Sequence, residues 1–180
     1  KVFFTNMEEK LTTFSSFLIF FWLEINSIEE KKFIKLFTFE ELKKYQTLIE
    51  VGRSFRPHQL DKNLEKLMND KDVTSSDAWG NLFDQTITSL RFPFKGKDLT
   101  TEEILNYFTD KDPSKRKEAA KSFGNILRQN VKIFCTITNT LAKDKATNDK
   151  WRKFSSPVSS RNLSNVVEDE VVDALTETVT

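Results

Sequence analysis

Between Met7 and Ile28, apolar residues fall at Leu11, Phe14, Leu18, Phe21, Ile25 and Ile28, in alternating steps of three and four. That spacing matches one face of an α-helix and no other regular structure. Phe17, Ile19, Phe20, Trp22 and Leu23 extend the apolar surface around the cylinder. A helix of this kind is expected to be buried on most sides, which requires other helices around it. Four Gly and four Pro in 180 residues leave few places to break helices. The chain is long enough for one domain with a real core. The expected architecture is therefore all-α, with one small β-hairpin near residues 87–99 in a single helical domain spanning 1–180.

A second helix is expected from about Thr38 to Gly52, with Gly52 as its stop. Pro57 opens the next helix, which Leu60, Leu64, Leu67 and Met68 carry to about Asn69, with Asp70 to Asp72 as a polar loop. Thr74 or Ser75 caps a helix reaching about Gln85. The period then changes to two at Leu90, Phe92 and Phe94; Gly96 makes a turn, and Lys97 to Leu99 returns as a partner strand. Thr100 with Glu103 has the pattern of a capping box that starts a helix to about Phe108. Asp112-Pro113 is a further start signal, and apolar residues from Ala119 to Leu141 sustain one face. Unbroken, that helix would have about 30 residues and a length of roughly 45 Å, with Gly124 allowing either close packing or a bend. Trp151 and Phe154 provide the apolar contacts at its end, a serine-rich loop spans Ser155 to Arg161, and the helical pattern resumes at Leu163.

Net charge of +1 supplies no field for nucleic acid or an acidic membrane. The seven-residue run Phe17 to Leu23 falls well short of the ~20 residues of a membrane span. The single cysteine forms no internal disulfide, and a reducing, cytoplasmic setting is expected. The seventeen Phe imply either a bulky aromatic core or a surface covered by another part of a larger protein. The chain starts at Lys1 and ends within a helical pattern, as a fragment would.

A catalytic zinc takes three protein ligands, mostly from His, Glu, Asp and Cys. With one His, one Cys and no H-E-x-x-H, no metal ligand and no catalytic residue is assigned in this chain. His58 is expected to cap a helix or pair with Asp61, and Cys135 to be buried and inert. The carboxylates Glu102-Glu103 and Glu168-Asp169-Glu170 suit helix starts. The basic runs Lys115 to Lys117 and Lys150 to Lys153 read as solvated faces, since no nucleic-acid signature accompanies them. Arg161 and Asn162 are the candidate substrate-binding residues: a guanidinium fork beside serines suits extended peptide. The competing reading ties the loop down by its own hydroxyls, with Arg161 paired to Glu168 or Asp169.

Several stretches together resemble the oligoendopeptidase F family of zinc metallopeptidases. They are Leu11 to Ile28, F-R-P-H-Q-L at 55–60 with L-E-K-L at 64–67, A-W-G-N-L-F-D at 78–84, and L-R-F-P-F-K-G-K-D-L-T at 90–100. The run from T-N-T-L-A-K-D-K to S-S-R-N-L and V-E-D-E-V-V-D-A-L completes the series in family order. The resemblance implies a helical zinc endopeptidase that hydrolyses short peptides, with its zinc and its H-E-x-x-H helix in a later region. It implies for these residues one wall of a peptide channel, with short peptides and the separate catalytic region as partners. The alternative is a non-catalytic helical scaffold or binding module.

Overall fold

The computed structural model describes residues 2–179. It is mainly helical with one two-stranded antiparallel hairpin, as expected. The chain forms two compact units, residues 1–73 with 145–180, and residues 74–144.

The first unit opens with α1 (Val2–Ser27), α2 (Glu30–Leu36), α3 (Glu40–Lys43), α4 (Gln46–Ser54) and, after a 3-10 turn at Arg56–His58, α5 (Lys62–Asp72). The single helix expected from Thr38 to Gly52 is thus two, interrupted at Lys44 and Tyr45. Tyr45 sits at φ −100°, ψ 0°, outside the helical well. α2 escaped the sequence reading because seven residues span less than two full periods of helix. Asp61 caps α5 by accepting from the amides of Asn63 and Leu64 at 2.9 and 3.2 Å. The helix continues through Asp70 to Asp72, where a loop was expected, and Asp70 there contacts α1.

Those contacts correct the reading of α1. Its covered positions include Thr12, Ser16, Ile19, Leu23, Ile25 and Asn26, while the expected stripe lies largely outward, with Phe14 at 62% and Leu18 at 64% exposure. Asn69 Nδ2 donates to the Thr12 carbonyl and to Ser16 Oγ, both at 3.0 Å, and Ser16 Oγ donates to Asp70 at 2.9 Å. A helix that is apolar nearly all round cannot be oriented by counting apolar residues. Small polar residues decide it, because they admit α5 closely and hydrogen-bond to it.

Arg53 fixes where α1 ends. It is 8% exposed and donates to the carbonyls of Ile25 and Ile28 at 2.7 and 2.6 Å, and to Glu30 at 3.1 Å. The last carbonyls of a helix have no partner within it. A guanidinium fork takes up one of them, that of Ile25, together with the Ile28 carbonyl just past the helix, and lies 4.2 Å from the ring of buried Phe33. Gly52 does not stop α4, which runs on to Ser54. It permits close approach instead: a Cβ there would fall 2.1 Å from the Trp22 ring.

The second unit holds α6 (Ser76–Ser89), β1 (Phe92–Phe94), β2 (Lys97–Leu99), α7 (Thr101–Asn106) and α8 (Pro113–Gln129). α6 extends past the expected end at Gln85. Phe92 pairs with Leu99 and Phe94 with Lys97, and the turn has positive φ at Lys95 (49°) and Gly96 (79°), which glycine adopts without strain. The capping box is present: Thr100 N–H donates to Glu103 at 2.7 Å, and Glu103 N–H to Thr100 Oγ1 at 3.4 Å. Asp112 caps α8 through the Ser114 amide at 2.8 Å. Phe92, Phe94, Ile104 and Ala119 form the buried core. Phe92 stacks on Phe123 at 5.1 Å and Phe94 lies 4.4 Å from Tyr107.

The long helix expected after Pro113 breaks at Asn130, which sits at φ −104°, ψ 9° and donates to the Ile126 carbonyl at 2.9 Å. An Asn side chain that bonds to the preceding turn competes with helical continuation. Gly124 neither bends α8 nor packs closely, since nothing lies within 4 Å of an added Cβ. The chain resumes as α9 (Val131–Arg152). Cys135 is exposed rather than buried, because Ile137 faces inward and two residues make more than half a turn.

The end of α9 belongs to the first unit, followed by α10 (Ser159–Ser164) and α11 (Asp169–Val179). Arg161 and Asn162 therefore lie on a short helix rather than a loop, and the helix expected from Leu163 starts only after Val166, at φ 54°. Trp151 is exposed, and it is Phe154 that stacks, on His58. Among the described residues no single helix is long and apolar enough to cross a membrane. One pair, Glu9–Ser27 with Glu30–Leu36, passes that test together but turns by 109°.

Phe92→Ala should cost the second unit about 3–5 kcal/mol, read by urea unfolding; a loss below about 1 kcal/mol would remove Phe92 from the centre of the core. Gly52→Ala should displace the Trp22 ring. With Trp79 and Trp151 replaced by Phe, the remaining indole emission should shift, and an unchanged spectrum would contradict the close approach.

Candidate functional site

The first unit contains a cleft of about 660 Å³, a size suited to a small ligand. α1 supplies Ile19, Trp22, Leu23 and Asn26 to its wall, and Gly52, Phe55 and His58 face it from α4 and the turn after it. Glu65, Arg152 and Arg161 bring charge, and Phe154 adds a second aromatic surface.

An ion pair braces this wall. Arg152 Nη1 and Nη2 donate to Glu65 Oε1 and Oε2 at 2.9 and 2.8 Å, a parallel fork, and the Leu60 amide donates to the same carboxylate at 2.8 Å. Burial alone would push the Glu65 carboxyl up. The Arg152 hydrogen bonds, the Leu60 amide and the Arg152 charge outweigh it and hold the group below its ordinary value. Arg152 is raised, first by its hydrogen bonds to Glu65 and against the effect of burial.

His58 plays a structural part with a different partner from the one expected. Its Nδ1 lies 2.8 Å from the Arg152 carbonyl, so Nδ1 carries the proton, and its ring stacks on Phe154 at 3.8 Å. Asp61 is committed to the α5 cap. Lys145 is neutralised by Asp149 at 2.7 Å and also donates to Ser160 at 3.0 Å.

The two candidate substrate-binding residues separate. Arg161 lines the cleft and is exposed, and its carbonyl accepts from the Asn165 amide at 2.9 Å. Asn162 is 6% exposed, lies off the cleft wall and donates to Asp169 at 2.8 Å. Asp169 thus pairs with Asn162, not with Arg161. Asn26 is the polar residue that sequence reasoning missed. It is 5% exposed and donates through Nδ2 to Gln59, while its Oδ1 is buried with no hydrogen-bond partner among the described residues. Nothing in the spacing of α1 marks it except its place on the small-residue face.

Arg152 was also passed over, as part of a solvated basic run; its partner lies 87 positions away. In the other basic run, Arg116 donates to the Asp110 carbonyl at 2.8 Å and Lys115 pairs with Asp110 at 3.4 Å. The zinc implied by the family resemblance finds no donor set here: among the described residues no group of three His, Cys, Asp or Glu side chains converges.

Glu65→Gln removes one partner of a pair whose side chains are 29% and 17% exposed, so about 1–2 kcal/mol of stability should be lost at pH 7. A carboxyl held below its unfolded value of about 4.5 stabilises above that pH and ceases to as pH falls through its folded value. The gap between Glu65→Gln and the parent chain should therefore close on acidification below about pH 4. A gap that persists at pH 3 would mean the carboxylate charge is not what stabilises.

Residues 24–92 match the family model of oligopeptidase F. No curated protein matches the chain. The structure resembles the crystal structure of oligoendopeptidase-F from Enterococcus faecium with a TM-score of 0.83 and 21% identity, over 96% of this chain. The chain spans 35% of the length of that protein. At that identity the likeness is one of fold, and the sequence match covers the part from the end of α1 to β1. The sequence is thus similar to the oligopeptidase F model over residues 24–92, and the fold is similar to that of oligoendopeptidase-F.

Proposed function

We propose that the chain is a channel-wall segment of an oligoendopeptidase F-like zinc metalloendopeptidase that hydrolyses short peptides, with the metal-binding region supplied by sequence outside these 180 residues. The observation that carries this reading is the fold correspondence over 96% of the chain with 35% of a solved oligoendopeptidase-F. The outward apolar face of α1 agrees with it: Phe14, Phe17 and Leu18 form a surface that the rest of a larger protein would cover. The protein is cytoplasmic in this reading. The segment's contribution is to bind and orient peptide, and no proton transfer or nucleophile is assigned to its residues.

The test is made on the full-length gene product. It should cleave an internally quenched peptide, lose that activity to a chelator and regain it with zinc, while the 180-residue chain alone with added zinc should not cleave. A full-length product with no chelator-sensitive cleavage would overturn the reading.

A further inference from the structure

α1 carries two rows of residues in steps of four and three, on nearly opposite sides of the helix. One row is Thr12, Ser16, Ile19, Leu23 and Asn26; it is covered, and α5 and α4 pack on this helix. The other row is Met7, Leu11, Phe14, Leu18 and Phe21, and it points outward. Apolar residues repeating every 3.5 positions are the seam of a left-handed coiled coil, whose natural occupant is another helix. These five residues and Phe17 beside them are 40–68% exposed. At about 200 Å² for a large apolar side chain, they present on the order of 600 Å², which meets the roughly 600 Å² per partner at the lower end of stable complexes.

The charges beside the seam say which helix fits it. When a second copy of α1 runs antiparallel, Leu11 of one copy meets Phe21 of the other, Phe14 meets Leu18, and Phe17 meets its own equivalent across a two-fold axis. Each seam layer then pairs a phenylalanine with a leucine. The same register sets Lys10 against Glu24 of the other copy, twice by symmetry, and both residues are exposed. A parallel pair instead sets Lys10 beside Ser15 and matches no charge. We propose that the 180-residue chain pairs with a second copy of itself through the outward seam of α1, antiparallel about a two-fold axis, with a Lys10–Glu24 ion pair at each end. In the peptidase reading the rest of a larger protein covers this face. A second copy takes that place in the 180-residue chain, so the pairing is tested apart from that reading.

Sedimentation equilibrium of the purified chain should show a monomer–dimer equilibrium, in reducing buffer so that exposed Cys135 does not link copies. Leu18→Glu places a charge on the seam at an exposed position. It should weaken the dimer at least about a hundredfold and leave helix content by circular dichroism unchanged. Lys10→Glu and Glu24→Lys each set like charges opposite one another twice, and each should weaken the dimer about tenfold. The double variant, or the two single variants mixed, restores both ion pairs and should return the affinity to within about threefold of the parent. That rescue requires residue 10 to face residue 24 of the other copy. A chain that stays monomeric at every concentration reached overturns the pairing. So does a monomer that floats with phosphatidylcholine vesicles, which would give the face to lipid. A dimer indifferent to Leu18→Glu overturns the seam. One indifferent to the charge reversals, or not rescued by the swap, overturns the antiparallel register. Chelator-sensitive cleavage by the full-length product decides the peptidase reading whichever of these results is found.

Discussion

The first unit depends on one forked ion pair. Arg152 closes α9 and Glu65 sits in the first turn of α5, 87 positions earlier, and their parallel hydrogen bonds of 2.9 and 2.8 Å join the two parts of the chain that make up the unit. The same arginine extends the join: its Nη1 reaches the His58 carbonyl at 3.3 Å, and its own carbonyl takes His58 Nδ1 at 2.8 Å. His58 then stacks on Phe154. α10 is tied to α9 separately, through Lys145 and Ser160 at 3.0 Å. Without the forked pair, the half-buried carboxylate and guanidinium would each face desolvation with no compensation.

A second arginine performs a comparable task at the C-terminal end of α1. Arg53 is buried against Phe33 and takes up two carbonyls where the helix stops and the chain turns toward α2. In both places the planar fork reaches two acceptors at once, a geometry that lysine cannot reproduce. The first unit has few fully buried apolar side chains, so polar ties between its helices set much of its geometry. The second unit is the reverse: Phe92, Phe94, Ile104 and Ala119 make an apolar core around the hairpin, and its named polar features lie at helix starts and the turn.

Local signals were legible in the sequence. The hairpin, the turn at Gly96, the Thr100–Glu103 box and the Asp112-Pro113 start each depend on residues within a few positions, and each formed where its residues stand. What failed to read was whatever depends on a distant partner. The face of α1 could not be chosen from apolar spacing because apolar residues surround it, and the deciding contacts come from Asn69 and Asp70. Gly52 looked like a stop because its true constraint, the Trp22 ring, is 30 residues away in sequence, a distance no local rule spans. The break at Asn130 needed no distant partner, but helical periodicity on either side concealed it.

The candidate site follows the same division. Arg161 was singled out for its chemistry, which any sequence displays, and it lies on the cleft wall. Asn162 was singled out for being next to it, but neighbours on a helix point about 100° apart. Asn162 is accordingly buried against Asp169 while Arg161 is exposed. The second polar group of the cleft comes from Asn26, on a helix more than a hundred positions earlier. A cleft wall assembled from α1, α4, α5, α9 and α10 is specified by packing. Its chemistry becomes visible only when the committed partners are subtracted: Lys145 to Asp149, Arg152 to Glu65, Asn26 Nδ2 to Gln59. What is left over on the wall is the Arg161 guanidinium.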